Sequence, residues 1–333
     1  LNLITGVTGL VGAHVALVLL KENKPVVALR RKGSDIVSVK KLFSYYDNDP
    51  ETLFNKIIWK EGDVTDVFSL EEALGGIETV YHCAGFVSMD DKDEKEMFLI
   101  NKTGTANMVN AALNHNIKRF CHVSSIAAIQ NADASQPLNE TVFWKSGSYQ
   151  SAYSVSKYLA EQEVWRGMEE GLKAVIVNPG VIIGPGFWTR GSGKLFTQSL
   201  KGIKFYTEGR TGFVGAMDVA RLMVALTEQE KFGERYVLIE NNYTFREILE
   251  KIHAGLNRTL PSVKAGSLLL NTARLAGFLM PGRSKFTKAT ITSALSNTSY
   301  SNQKLLANLS YNFQSLNDCI SFTCQALLRE KQS

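Results

Sequence analysis

Three glycines near the start constrain this chain more than any other feature of its 333 residues. An apolar run, Leu1-Asn2-Leu3-Ile4-Thr5, meets Gly6-Val7-Thr8-Gly9-Leu10-Val11-Gly12, and a helix-patterned segment follows to Lys21. A strand that turns through glycine into a helix leaves the first-turn amides unclaimed and brings the positive end of the helix dipole to the turn. Such a turn receives an anion, most often a phosphate. Gly6 permits the tight turn, Gly9 lets the backbone approach a pyrophosphate, and Gly12 lets helix and strand pack closely. A glycine-rich turn with no ligand is the plainer reading. The strand–turn–helix setting favours the ligand.

The rest of the first half repeats that alternation. Strand-like runs at Pro25–Leu29, Lys56–Trp59, Glu78–Cys83, Lys118–Val123 and Leu172–Asn178 are separated by helical patterns, the longest at Asp93–Asn114 and Tyr149–Glu170. Continuous apolar strands between helices predict a parallel sheet covered on both faces. After Gly180 the pattern loosens, with loop signals at Gly184-Pro185-Gly186 and Arg190-Gly191-Ser192-Gly193. Helical patterns return near Gly215–Thr227, Thr244–Ala254 and Ser267–Phe278, and Tyr236–Ile239 reads as one more strand. The expected architecture is α/β: a Rossmann-type doubly wound parallel sheet with a smaller, mostly helical C-terminal cap. The core is placed at 1–178, rejoined by about 213–240, and the cap at 179–212 and 241–333.

Composition removes several classes. With 44% hydrophobic residues the chain can bury a real core, so wholesale disorder is excluded. Lys plus Arg total 37 against 32 Asp plus Glu, and the basic residues are scattered, so a net charge of +5 gives no nucleic-acid signal. Cys83, Cys121, Cys319 and Cys324 lack metal-ligand spacing, and His14, His82 and His122 lack metal-binding company; no metal is expected. His82 and His122 read as satisfied core residues. Leu268–Met280, broken by Asn271 and Arg274, is too short and polar to span a bilayer, so no stable membrane insertion is expected. No export signal precedes the first motif, and the expected setting is cytoplasmic with reduced thiols. The chain begins at Leu1 and not at methionine, which leaves an upstream segment open.

Two further features carry chemistry. The second strand ends at Leu29-Arg30, followed by Arg31 and Lys32. Dinucleotide folds that use NAD place a carboxylate there for the ribose hydroxyls. A carboxylate repels a 2′-phosphate, whereas a guanidinium pairs with it. Arg30 therefore points to NADP(H), with NAD left open and a solvated basic loop as the plainer reading. The second feature is Tyr153-Ser154-Val155-Ser156-Lys157, on the helix after strand Lys118–Val123. A spacing of four puts Tyr153 and Lys157 on one helical face. An ammonium one turn away, with the charge of a nicotinamide ring, favours the phenolate and makes Tyr153 a proton donor or acceptor for a carbonyl–alcohol pair. Ser125, about 30 residues earlier at a strand end, is placed to orient the substrate oxygen, and a turn or helix cap is its plainer role.

Together these pieces resemble the extended short-chain dehydrogenase/reductase superfamily, which contains the NAD(P)-dependent epimerases and dehydratases and the dihydroflavonol-4-reductase-like enzymes. The matching stretches are Thr5–Gly12, Glu61–Val64, Tyr81–Gly85, Asn101–Ala112, Val123–Ser125, Tyr153–Lys157 and Val177–Gly186, so the resemblance covers most of the chain. It implies catalytic roles for Ser125, Tyr153 and Lys157, with Asn101 supporting the site. It implies a cofactor site of Gly6, Thr8, Gly9, Leu10, Val11, Gly12, Arg30, Asp63, Val64, Ala84, Gly85, Lys157, Asn178 and Pro179. Asp63 lies toward the adenine, and Asn178 and Pro179 lead into the cap near the nicotinamide. Phe86, Trp144 and Trp188 flank the expected cleft as substrate contacts, although aromatics also simply pack. Asp218 reads as structural. The resemblance also implies a homodimer through the two long helices.

The sequence departs from the epimerase pattern at Arg30 and at Ser125-Ile126-Ala127-Ala128, which lacks the Tyr-Gly pair of many nucleotide-sugar enzymes. Three functions stand. The first is an NAD(P)(H)-dependent oxidoreductase passing hydride between nicotinamide and a small-molecule carbonyl or alcohol. The second is a nucleotide-sugar epimerase or dehydratase holding NAD tightly. The third is a dinucleotide-sensing regulator without catalysis.

Overall fold

The computed structural model describes residues 1–130, 136–142, 144, 150–272 and 287–332. In chain order its strands are β1 (Asn2–Thr5), β2 (Val26–Arg30), β3 (Ile57–Glu61), β4 (Thr79–His82), β5 (Arg119–Val123), β6 (Ala174–Pro179), β7 (Val181–Ile183), β8 (Phe205–Tyr206), β9 (Arg210–Gly215), β10 (Glu234–Leu238), β11 (Asn241–Thr244) and β12 (Val263–Lys264). Seven of them form one parallel sheet in the order β3-β2-β1-β4-β5-β6-β10. The winding reverses between β1 and β4. That reversal opens a crevice at the carboxyl ends of the strands, where ligands bind in such sheets.

Side-chain alternation divides the core into two layers. Leu3, Val27, Val80, Phe120 and Ile176 point to one face and pack on Leu70, Met108, Val109 and Val164 of the covering helices. Ile4, Val26, Ala28, Tyr81 and Val175 point to the other face. There the helix Leu10–Lys21 lies against the helix Ala216–Glu228 and is buried continuously from Gly12 to Leu20. A helix apolar all round is one covered on both sides, here by sheet and helix.

The long helix expected over 93–114 is interrupted. A 3-10 turn (Asp91–Asp93) and a short α-helix (Glu94–Met97) lead into a π-helical segment (Phe98–Thr103), and a regular α-helix resumes at Gly104–Asn114. The cap is more mixed than expected. It holds a three-stranded sheet in the order β11-β9-β7 and a parallel pair β8–β12, besides the helices Gly193–Leu200, Phe245–Gly255 and Leu316–Gln332. These bury their own cluster, including Phe196, Phe213, Ile248, Ile252 and Ile320. Residues 303–313 turn back to the core, where Leu305 and Leu309 join the Ile4 layer. The Ser267–Phe278 pattern begins as helix at 267–272, and its remainder lies outside the described residues. Among the described residues all four cysteines are free thiols, no cluster of three metal-ligating side chains occurs, and no helix is long and apolar enough to cross a membrane.

Candidate active site

A cavity of about 1050 Å³ opens at the carboxyl ends of the strands, bounded by Thr5, Arg30, Gly62, Cys83, Val123 and Pro179 from six of them. Gly6 adopts φ +67°, and a Cβ there would lie 2.6 Å from the Cys83 carbonyl oxygen. A Cβ on Gly12 would lie 2.4 Å from the Gly6 carbonyl oxygen. Both positions therefore exclude a side chain on steric grounds. Gly9 caps the Leu10–Lys21 helix without a side-chain acceptor, so the first-turn amides stay available along the cavity wall. The Thr5 hydroxyl ties this loop to β4, accepting from the Ala84 amide at 3.0 Å and meeting His82 Nδ1 at 2.8 Å. Volume, unclaimed amides and two side-chain-free approaches fit a dinucleotide pyrophosphate. Asp63 and Val64 line the next part of the wall. There Asp63 Oδ1 accepts from the Thr65 amide and hydroxyl, both at 2.8 Å, which fixes the loop after β3. Arg30 and Arg31 line the cavity as well, and Arg30 Nε is buried with no partner among the described residues. An orphaned guanidinium nitrogen there fits an anion.

Ser125, Tyr153 and Lys157 converge on one side of this cavity. Ser151 caps their helix by accepting from the Ser154 amide at 3.1 Å, which sets Tyr153 in the first turn. Ser125 Oγ accepts from the Ala127 amide at 3.1 Å and keeps its own hydrogen to donate. The Tyr153 phenol is pushed above its usual range by burial, while the Ser125 side chain pulls it back. The expected lowering by Lys157 is not found. Lys157 Nζ is turned to the Val123 carbonyl at 2.7 Å, and burial pulls its ammonium down to about 8, opposed by Glu161 and Cys83. Tyr153 is thus held as a neutral phenol at physiological pH. Burial, helped by the Lys157 charge, holds His82 neutral with a pKa of about 3 and pushes His122 well below its usual range. His82 is satisfied by Thr5 and Thr105, but among the described residues both ring nitrogens of His122 lack partners, contrary to the expectation of a satisfied His122.

Behind the wall lies a charged network. Glu161, fully buried, is one further turn along the Tyr153–Lys157 face. Its Oε2 accepts from Ser124 Oγ at 2.7 Å and Asn178 Nδ2 at 2.8 Å, and its Oε1 pairs with Arg235 at 2.8 Å. Arg235 in turn donates to the carbonyls of Glu140 (2.7 Å) and Val142 (2.8 Å). Asn178 Nδ2 also reaches the Ser125 carbonyl at 3.0 Å. The carboxyl ends of β5 and β6 and the helix Ala152–Glu169 are thereby joined through one carboxylate.

The chain's residues 2–238 match the model of the NAD-dependent epimerase/dehydratase family. It belongs to that family. Sterol demethylase protein B of Methylococcus capsulatus is 29% identical over 253 residues, 75% of this chain and 72% of that one. A Synechocystis protein named as a dihydroflavonol 4-reductase is 30% identical over 274 residues, 78% and 73% of the two chains. Among solved structures, that of gox2253 superposes with a TM-score of 0.82 at 26% identity, covering 99% of this chain and 98% of the other. The chain is thus an NAD(P)-dependent enzyme of the extended short-chain dehydrogenase/reductase type.

Within this epimerase/dehydratase family frame, the cavity brings together Gly6, Thr8, Gly9, Leu10, Val11, Gly12, Arg30, Asp63, Val64, Ala84, Gly85, Phe86, Ser125, Tyr153, Lys157 and Pro179. Four expected residues lie off its wall. Asn101 sits in the π-helical segment, where its carboxamide is spent on the Phe86 amide (2.7 Å), the Phe86 carbonyl (2.9 Å) and Ser156 Oγ (2.9 Å). It braces the site and does not face the cavity. Asn178 is fully buried behind Ser125, held by Glu161. Trp144 stacks on Tyr158 with ring centroids 4.4 Å apart. Trp188 donates its indole N–H to Glu330 and meets Tyr45 edge-on. Both tryptophans are consumed by packing, the common fate of large aromatics. Sequence reasoning missed the far wall, where Ala289, Thr292, Ser296 and Tyr300 close the cavity with Arg210 and Phe245. No motif marks that stretch. It also missed Glu161, although the same spacing of four that links Tyr153 to Lys157 leads on to it.

Proposed function

We propose that this enzyme is an NADP(H)-dependent reductase of carbonyl compounds, of the dihydroflavonol-reductase-like kind named for one of its relatives. The observation that carries the reading is Arg30, lining the cavity with an unpartnered buried nitrogen where an NAD enzyme carries a carboxylate. The nicotinamide, when bound, supplies or takes the hydride. This chain's residues do the rest. Tyr153, waiting as a neutral phenol, gives its proton to the carbonyl oxygen as that oxygen becomes a hydroxyl. Ser125 donates to the same oxygen and orients it. Lys157, on the same helical face and lining the cavity, is placed to hold the cofactor ribose. Phe86, Val87, Met89 and Ile100 give the substrate end apolar walls. These suit a substrate with an apolar body. Association into a homodimer through the helices Gly104–Asn114 and Ala152–Glu169 is part of the same proposal. Leu99, half-exposed on the turn before the first of them, supports it.

The test is nucleotide analysis of the purified protein. NADPH that exchanges freely and binds far more tightly than NADH is the expected result. NAD released only on denaturation would overturn it in favour of an epimerase or dehydratase. Light scattering at micromolar concentration decides between dimer and monomer.

A further inference from the structure

Three guanidiniums line the cavity from two separate elements. Arg30 and Arg31 reach it from the end of β2 and Arg190 from the cap, and none makes an ion pair among the described residues. Arg190 belongs to the loop 186–193, which lies on the core. A Cβ on Gly186 would fall 3.7 Å from Leu42 and 3.9 Å from Tyr45, on the segment that follows the β2 loop. The loop is also anchored from the far end of the chain. Glu330, on the last helix, accepts from Trp188 and Tyr45 and pairs with Lys41 at 2.8 Å. Its backbone is wound tightly, with Phe187 at φ +52° and Gly191 at φ +51°. Arg190 stands 5.6 Å from the centre of the Phe187 ring. Asp35, on the β2 loop, is held low by its bonds from Ser38 and, less, by the charge of Arg190. Guanidiniums that line one cavity from two separate elements suit an anion held between them.

We propose that loop 186–193 is a phosphate clamp, in which Arg190 closes from the cap onto a phosphate of the bound dinucleotide, opposite Arg30 and Arg31. The clamp rests on the dinucleotide reading and adds to it a cofactor contact made by the substrate cap.

The experiment titrates NADPH and NADH against the wild-type chain, Arg190→Gln and Arg30→Gln by fluorescence, at low and high salt. Arg190 is exposed, so its variant keeps the wild-type circular dichroism and melting curve. Arg190→Gln is expected to bind NADPH roughly 10-fold or more weakly and to show a shallower salt dependence. Loss confined to NADPH identifies the 2′-phosphate as the clamped group, and equal loss with NADH identifies the pyrophosphate. If Arg190→Gln binds both nucleotides within about twofold of wild type while Arg30→Gln loses NADPH, the clamp is refuted and the NADP(H) reading stands. A wild-type chain that binds neither nucleotide refutes both.

Discussion

At Tyr153 burial and hydrogen bonding compete, and burial prevails, leaving a neutral acid beside Ser125. Replacing Tyr153 with Phe removes the proton and little else. Carbonyl turnover is expected to fall at least 100-fold, with NADPH affinity within about twofold of wild type. Steady-state kinetics with a direct binding titration checks this, and retained turnover would take Tyr153 out of the mechanism. Glu161 is a buried charge paired with another nearly buried one. Glu161→Gln strands Arg235, a side chain only 13% exposed, without its countercharge. Breaking one side of such a pair costs about 3 kcal/mol or more, whereas removing both sides with apolar groups costs far less. Urea unfolding of Glu161→Gln and of the double variant Glu161→Gln/Arg235→Met should show the single change as the worse of the two. The Tyr153–Lys157 pair was legible because the two residues share a helical face at a spacing of four. Glu161 was not, since a glutamate four residues after a lysine reads equally well as a solvated ion pair. Only the arrival of β10 carrying Arg235 makes it a buried one.

The helix Leu10–Lys21 shows at the level of an element how far pattern reading goes. Its position follows from the glycines, and its contact with the Gly6-Val7 turn depends on Gly12 having no side chain. Gly12→Ala places a methyl group 2.4 Å from a carbonyl oxygen. It is expected to abolish nucleotide binding and lower the melting temperature. Gly75→Ala, whose nearest neighbour would be 3.8 Å away, serves as the unaffected control. If Gly12→Ala binds NADPH normally, the packing account of the loop is wrong. Interruptions were less legible than the elements they interrupt. Apolar spacing over 93–114 suits a continuous helix, and the π turn at Phe98–Thr103 arises from tertiary bonds of Asn101 to Phe86 and Ser156. The small cap strands escaped for a related reason. Runs of two to six residues are too short to set a period.

For the whole molecule, the sheet was legible because alternating strands and helices leave few ways to cover both faces. The far cavity wall was not, because residues 289–300 reach the site by the path of the chain and by no local pattern. Stability is a whole-molecule property too, and here it depends on acid. His14 and His82 are buried neutral, held at about 4 and about 3, against an unfolded value of 6.5. The unfolded chain binds protons first as pH falls through 6.5, so stability is full above that value and declines toward the folded values. At pH 5 each group costs roughly 2 kcal/mol relative to pH 7.5. Denaturant unfolding at the two pH values should show the combined loss, with His122 adding in the same direction. An unchanged unfolding free energy would mean that these rings titrate normally in the fold. The parallel sheet has one further consequence. Because its strands share one direction, everything reactive lies at one rim. The turns at Gly76, Gly171 and Gly233, which precede β4, β6 and β10, lie at the other, with open space where a Cβ would stand. A tether to a surface or a dye placed at that opposite rim, on a residue beside these positive-φ glycines, orients every molecule with its mouth toward solution.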